Sequence, residues 1–225
     1  MTIALAALSV NIGQAANLLL NPSFEAQVTP GTNAVLATGS TFLTNWTVTG
    51  SACSGNCVFL LDSTYTENID IGLWTTPAVS GDQSLDITGA GNTVDGGIEQ
   101  TVTLNLVPHV LSFWVGNGDN RSSFLPLPST IEVFVNSISQ GTFTNNDSTN
   151  NQTNWKQFSL TFTPNVAVNT IRFRNATPVG DNMAGLDDVF LEETPEPGTS
   201  ALVGGALLVV MARRFYGARS RGQEL

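Results

Sequence analysis

The sequence is poor in the residues that build zinc sites and nucleic-acid interfaces. Its 225 residues include two cysteines and one histidine, too few soft ligands for a tetrahedral zinc site. Residues 17–196 contain four Lys and Arg and seventeen Asp and Glu, which gives this segment a charge of −13. Nucleic-acid binding needs a basic surface, so this composition excludes it. Excess carboxylate suits divalent cations or simply keeps a domain soluble.

Long hydrophobic runs are also missing. The longest largely apolar segment, residues 198–212, would extend roughly 22 Å as a helix, whereas a bilayer's hydrocarbon core is about 30 Å thick. Arg213 and Arg214 follow it at once, and basic flanks stay on the cytoplasmic side of a membrane. We therefore predict a short membrane helix that needs its flanking residues to span, with this arginine pair as the cytoplasmic stop. The chain before it is predicted to be exported.

The first half of the chain contains no Lys or Arg, the first being Arg121. Residues 1–10 are small and apolar, and Ala15 or Ala16 offers a small-residue cleavage point, as in a secretory signal peptide. We predict a signal peptide over residues 1–16. Because the usual basic start is missing, one interpretation is that the true signal begins upstream of Met1.

The two cysteines lie close together in a chain predicted to be exported. Cys53 and Cys57 are separated by three residues, and this spacing in an oxidising compartment predicts a local disulfide. Its stabilisation should be modest, because closing a short loop removes little entropy from the unfolded chain.

The pattern of residues 17–193 is β throughout, and the length suits one domain. Alternate apolar residues such as Ile131, Val133 and Val135 share one face, which is typical of sheets with one face in a core. Strands are predicted at 57–61, 84–88, 97–104, 110–116, 130–137, 156–163, 170–175 and 186–192. Eight or more such strands with long connections predict an all-β fold, a two-sheet antiparallel β-sandwich of the jelly-roll kind.

The carboxy-terminal residues resemble a known sorting signal. Pro195, Glu196 and Pro197 precede the apolar run, and the arginine pair follows it. Together they resemble the PEP-CTERM sorting tail of bacterial surface proteins, over residues 194 to about 221 of a predicted tail 194–225. The resemblance implies recognition by an exosortase, cleavage near the triplet, and release or attachment at the outer surface. The alternative is an ordinary anchor helix, and both place the domain in the cell envelope or extracellular matrix.

Six short phrases of the domain resemble galactose-binding-like jelly rolls, in particular carbohydrate-binding modules and the bacterial choice-of-anchor domains. They occur in order at residues 17–25 (NLLLNPSFE), 46–48 (WTV), 97–102 (GIEQTV), 111–115 (LSFWV), 155–158 (WKQF) and 185–189 (GLDDV). This resemblance implies non-catalytic binding of polysaccharide, such as an exopolysaccharide or a biofilm matrix.

The same resemblance implies a structural Ca²⁺ where the terminal strands meet. Its side-chain ligands would be Glu25 and one of Asp187 and Asp188, because neighbouring strand residues point to opposite faces. Calcium takes six to eight oxygen ligands, which carboxylates, carbonyls and water can supply. The alternative is that these acids cap a strand end or accept backbone N–H groups.

Trp74 is the preferred sugar-facing residue. It ends a polar segment, residues 64–74, that also contains Tyr65, Asn68 and Asp70. A sugar presents apolar C–H faces and hydroxyl groups, so an aromatic ring beside amides and acids suits it. The alternative is that Trp74 packs against the edge of the sandwich. The other tryptophans lie in or beside predicted strands and are predicted to be core residues: Trp46, Trp114 and Trp155.

No catalytic constellation is apparent. His109 is predicted in a hairpin loop, with no nucleophile motif to complete a triad, and the sequence selects no carboxylate pair of the kind that glycosidases use. We therefore predict a polysaccharide-binding protein and not an enzyme. The alternative is a structural matrix or coat protein that self-associates through exposed strand edges without binding sugar.

Overall fold

The structure is a computed structural model that describes residues 16–51, 56–89, 95–119, 121–123, 125–126, 128–147, 151–178 and 183–194. Several predictions concern residues outside these ranges: the signal peptide before Ala16, Cys53, and the tail after Thr194 with Pro195, Glu196, Pro197, Arg213 and Arg214. Cys57, the predicted partner of Cys53, is fully buried. Within the described ranges, no helix is long and apolar enough to cross a bilayer.

The described chain is an all-β sandwich of two antiparallel sheets. The first sheet has six strands in the order β1 (Asn33–Leu36), β3 (Val58–Asp62), β6 (Gln83–Asp86), β13 (Gly185–Glu193), β8 (His109–Asn117) and β11 (Asn154–Phe162). The second has five, in the order β10 (Ile138–Asn145), β9 (Ser129–Val135), β12 (Val168–Asn175), β7 (Gly97–Thr103) and β2 (Thr47–Thr49). A separate hairpin pairs β4 (Thr66–Ile69) with β5 (Gly72–Thr75).

The alternation of apolar and polar residues explains the sandwich. In β9, Ile131, Val133 and Val135 point into the core, and all three are buried. All eight predicted strands are present, with ends shifted by one to a few residues. The strand predicted at 130–137 stops at Val135, because Asn136 and Ser137 adopt φ values of 51° and 66° and turn the chain into β10.

Three sequence predictions for aromatic residues need correction. His109 does not lie in a loop but begins β8, is fully buried and stacks on Phe162 with ring centroids 5.9 Å apart. It takes the first inward position of β8, which begins one residue earlier than predicted. Trp46 is buried in the main core as predicted. Trp114 and Trp155 are only partly buried, because both occupy outward positions of their strands.

The sandwich has two dissimilar ends. Three connections meet at one end, where Leu104 N–H donates to Ala167 O over 2.8 Å and Asn136 Nδ2 donates to Asn169 Oδ1 over 2.7 Å. We call this the uncharged end, because its connections, residues 104–108, 136–138 and 163–167, contain no charged residue. The opposite end, called the hairpin end, holds the β4–β5 hairpin and the described parts of 118–126 and 151–153. β8 runs between the two ends, pairing His109 with Phe162 and Asn117 with Asn154.

Candidate functional site

A small cleft lies between the β4–β5 hairpin and the outer face of the six-stranded sheet. It encloses about 40 Å³. Its lining combines aromatic rings, apolar side chains and two carboxylates. We call it the hairpin cleft, and its residues are Phe59, Leu61, Tyr65, Glu67, Trp74, Thr76, Asp86, Leu125 and Met183.

The hairpin places one of its faces over this cleft. Glu67 and Ile69 of β4 are partly buried, whereas Thr66 and Asn68 between them are exposed. Trp74 of β5 is 1% exposed and packs in a second, small apolar cluster with Leu61, Leu125 and Met183. The prediction of Trp74 in an open polar segment is therefore wrong, because the hairpin folds its inner face against the sheet.

Hydrogen bonds to Asp70 fix the tip of the hairpin. Its Oδ2 accepts the backbone N–H of Ser123 at 2.7 Å and the hydroxyl of that serine at 2.6 Å, and its Oδ1 accepts the Ser122 hydroxyl. These bonds hold the pKa of Asp70 down, at about 2, with the Ser122 hydroxyl as the largest contribution. The Asp70 carboxylate therefore serves to anchor the hairpin tip, and it does not line the cleft.

A buried acid ties the loops of the hairpin end together. The Asp119 carboxylate is fully buried and accepts the Nε–H of Arg121 at 2.9 Å, and hydrogen bonding to Arg121 lowers its pKa to about 2. Arg121 also donates to the side chain of Asn151 over 2.7 Å. The Asn151 carbonyl accepts Thr75 N–H from β5 at 3.1 Å. One network therefore joins the hairpin to two loops, and the walls of the cleft are set before any ligand arrives.

Asp86 supplies a carboxylate to the floor of the cleft. Its Oδ1 accepts the N–H and hydroxyl of Thr88 at 2.9 and 2.6 Å and the N–H of Ala184 at 3.1 Å. Burial nevertheless raises its pKa above the ordinary value, and the charge of Glu67 adds to that rise. At the wall of the cleft, the Tyr65 hydroxyl donates to Glu67 Oε2 over 3.2 Å. Burial and the neighbouring Glu67 raise the pKa of Tyr65 to about 12.

Trp74, which also lines the cleft, carries an unpaired donor. Its indole Nε1–H is buried and has no hydrogen-bond acceptor among the described residues. A buried N–H without an acceptor costs free energy comparable to a lost hydrogen bond. By contrast, the equally buried Trp46 donates its indole N–H to Asn21 O over 3.0 Å.

The structure brings together two of the four residues predicted to bind a ligand. Tyr65 and Trp74 line the cleft, whereas Asn68 is exposed on the other face of β4 and Asp70 anchors the hairpin tip. Sequence reasoning missed Phe59 and Asp86. Asp86 did carry a signal, since it is an acid between Leu85 and Ile87 in a predicted strand.

Two of the three acids predicted to hold calcium, Glu25 and Asp187, accept hydrogen bonds from backbone N–H groups. Glu25 Oε1 accepts the N–H groups of Asp82 and Gln83 at 3.0 and 2.7 Å. Asp187 Oδ2 accepts two more N–H groups, from residues 79 and 80, and its Oδ1 accepts that of Asp188 at 2.7 Å. Burial raises the pKa of Asp187 to about 7 against these three donors. The described residues contain no group of three His, Cys, Asp or Glu able to hold a metal ion, so calcium stays a prediction.

No protein-family model matches the sequence, and no curated protein matches it either. Solved structures of similar shape include the carbohydrate-binding module TmCBM61 in complex with beta-1,4-galactotriose, at 14% identity and a TM-score of 0.48, over 80% of this chain and 100% of that one. A CBM4 structure matches at 15% identity and a TM-score of 0.44, over 78% and 99% of the two chains. The CBM22-1 xylan-binding domain of Paenibacillus barcinonensis Xyn10C matches at 15% identity and a TM-score of 0.40. The match covers 80% of this chain and 95% of that one. At such identities and TM-scores the likeness assigns no ligand.

Proposed function

We propose that the protein binds a polysaccharide without cleaving it and that the hairpin cleft receives one substituent of a sugar unit. The observation that carries this proposal is the buried indole N–H of Trp74, which lacks an acceptor in a cleft that also contains two carboxylates. A sugar hydroxyl both accepts and donates a hydrogen bond. It can therefore accept from Trp74 and donate to Glu67 or Asp86.

The partly exposed aromatic residues suit the rest of the sugar. Phe59 and Tyr65 pack against the cleft and remain half-buried, so their rings can contact the apolar C–H face of a pyranose. The cleft space of about 40 Å³ suits a hydroxyl or hydroxymethyl group. The ring itself would lie across the mouth, where a polysaccharide chain can continue on both sides.

The small size of the hairpin cleft favours binding of a sugar over its hydrolysis. A glycosidase holds two carboxyl groups on opposite sides of a glycosidic bond, about 5–10 Å apart, with room for the sugar between them. Glu67 and Asp86 both line this one small cleft, and no wide groove between them is described. We therefore assign both acids to hydrogen bonding of a hydroxyl group.

The experiment is a binding assay with immobilised neutral and acidic polysaccharides, followed by calorimetry on any that bind. Trp74→Phe removes the N–H and keeps most of the ring volume, and Glu67→Gln removes one charge. Each should weaken binding by about tenfold, the value of a hydrogen bond in a buried site. Full binding by both variants would eliminate the cleft as the site.

Two control substitutions separate recognition from stability. Trp46→Phe removes a buried indole N–H from the main core, away from the cleft, and should change stability but not affinity. Asn68→Ala alters the exposed face of the hairpin and should change neither. If Asn68→Ala instead lost binding, the polysaccharide would bind to that outer face of the hairpin.

We further propose export through the amino-terminal signal and exosortase sorting through the tail, on the strength of the sequence alone. Mass spectrometry of protein extracted from the cell surface tests this. A chain that ends near Pro195 is expected, and an intact carboxy terminus at Leu225 would refute cleavage.

A structural calcium ion remains part of the proposal. Calcium would displace the proton that burial favours on Asp187, so its addition should raise the melting temperature more at pH 8 than at pH 5. If chelation leaves the melting temperature unchanged at both pH values, the protein contains no structural calcium ion.

One observation favours the second candidate, self-association. The edge strand β10 contains no charged residue, and charged residues are a usual protection of free edges. A bulge between Ser139 and Gly141 interrupts its pairing register and is a partial protection of the same edge. Assembly that depends on protein concentration, in a protein with no affinity for any polysaccharide, would favour this role.

A further inference from the structure

Large apolar side chains are exposed together at the uncharged end. Leu106 is 60% exposed, Ile138 is 64% exposed, and Val166 and Val168 are 49% and 61% exposed. They lie on, or directly after, three connections that contact one another through the Leu104–Ala167 and Asn136–Asn169 hydrogen bonds. Single exposed apolar residues are common on protein surfaces, but a cluster on adjacent loop tips marks an interaction surface.

The surroundings of these side chains are polar but uncharged. A groove of about 260 Å³ separates the β9–β10 turn from the loop after β11, with Val135 and Phe162 in its lining and Gln140 and Asn165 beside them. Exposed apolar tips next to amide and hydroxyl groups suit the boundary between lipid headgroups and acyl chains, where both kinds of group find partners.

The described chain also ends at this end. β13 starts beside Gly116, near the hairpin end of β8, and its nine residues extend about 30 Å, the length of β8. Near its other end, Leu18 N–H donates to Leu191 O, and Leu20 N–H donates to the side chain of Gln100 in β7. β7 leads into residue 104 of the uncharged end, so β13 finishes there.

The sequence beyond Thr194 points to a particular partner. The apolar run begins at residue 198, so at most about 14 Å of extended chain separates it from Thr194. If that run enters a bilayer, the end of the domain where β13 finishes is held near the lipid surface. The inference rests on the sequence prediction for the tail, concerns the chain before cleavage near Pro195, and is independent of the sugar proposal.

We propose that the uncharged end lies against a neutral lipid surface, with the tips of Leu106, Ile138 and Val168 inserted among the headgroups. The lipid is zwitterionic by this argument, because the three connections offer no Lys or Arg to attract anionic headgroups, and β13 ends with Glu192 and Glu193. Insertion of loop tips would orient the hairpin cleft away from the membrane, toward the extracellular polymer.

The test uses the full chain bound to phosphatidylcholine vesicles, with an environment-sensitive fluorophore attached at a single introduced cysteine. Leu106→Cys and Ile138→Cys report on the uncharged end. Leu73→Cys is the matched control, because Leu73 is also exposed, at 52%, but lies on the hairpin. Brominated acyl chains should quench the probes at 106 and 138 at least about threefold more than the probe at 73, because quenching needs near contact with lipid.

A second measurement excludes an effect of the labels. The triple variant Leu106→Ser, Ile138→Ser, Val168→Ser should lower partitioning of the full chain into these vesicles about tenfold. The matched triple Val35→Ser, Phe42→Ser, Leu73→Ser removes exposed apolar area elsewhere and should not lower it. Equal quenching at 73 and 106, no vesicle binding by the full chain, or quenching that follows protein concentration instead of lipid would each overturn the proposal. The last result would identify a second copy as the partner.

Discussion

The two ends of the sandwich are built from the same strands but held together by different interactions. At the hairpin end, buried or anchoring carboxylates join the loops, as Asp119 does through Arg121 and Asp70 does through two serines. At the uncharged end, backbone groups and the amides of Asn136 and Asn169 make the connections. Charged hydrogen bonds fix geometry strongly, and apolar tips tolerate changes of contact. The first end suits recognition of a defined group, and the second suits an adaptable surface.

The strongest test of this difference concerns two glycines. A Cβ at Gly118, on the hairpin end, would stand 2.0 Å from the backbone oxygen of Leu125. Gly118→Ala should therefore lower the free energy of unfolding by about 3 kcal/mol or more, since backbone must move. Gly141 lies in the edge strand β10, where a Cβ finds only the Phe143 ring at 3.8 Å, and its φ is +134°. Gly141→Ala should cost about 1 kcal/mol from backbone strain alone. Equal losses in urea unfolding would show that the backbone around Gly118 yields as easily as the edge strand β10 does.

The second largest expected effect is that of pH on the free energy of unfolding. It should come from the carboxyl groups that β6 and β13 bury. The pKa of Asp187 is raised to about 7, from 3.8, and that of Asp86 is also raised, both chiefly by burial. A raised carboxyl pKa stabilises the fold at low pH, and that contribution is lost as the pH rises from 4 through 7. We expect the free energy of unfolding to fall by on the order of 2 kcal/mol between pH 4 and pH 8.

A matched variant identifies the responsible group. Asp187→Asn has no charge to bury, so its unfolding free energy should depend less on pH across this range than that of the parent protein. Asp70 and Asp119 have pKa values lowered to about 2. Their protonation below pH 4 therefore destabilises the fold, whereas protonation of Asp187 stabilises it. If the Asn variant keeps the full slope between pH 4 and 8, the buried Asp187 carboxyl is not its source.

A smaller and local effect is expected from the network around Asp119. Asp119→Asn keeps an oxygen but removes the charge that binds Arg121, so the β4–β5 hairpin should open more often. We expect amide hydrogen exchange in β5 to accelerate about tenfold, while exchange in β10 stays unchanged. Uniform acceleration in both strands would mean that Asp119 supports the whole domain instead of the hairpin.

The sequence predicted the regular part of this structure better than the site. Strands such as β9 and β12 alternate apolar and polar residues, and that local pattern is enough to locate them. The β4–β5 hairpin was missed because its outward residues are polar and its inner face is short. The burial of Trp74 depends on Leu125 and Met183, which lie 51 and 109 residues further along the chain. No local pattern around residue 74 contains that information.

The smallest expected change concerns stability at the uncharged end and separates binding from folding there. Leu106 and Ile138 are mostly exposed, so the single variants Leu106→Ser and Ile138→Ser remove little buried area. Each should alter the free energy of unfolding in water by less than about 0.5 kcal/mol, as surface substitutions usually do. Buried Phe113, on the inner face of β8, is the contrasting position, where Phe113→Ala should cost about 3 to 5 kcal/mol. If the serine variants destabilised the domain measurably, these side chains would be part of its packing, and an interaction surface would no longer be needed to explain their exposure.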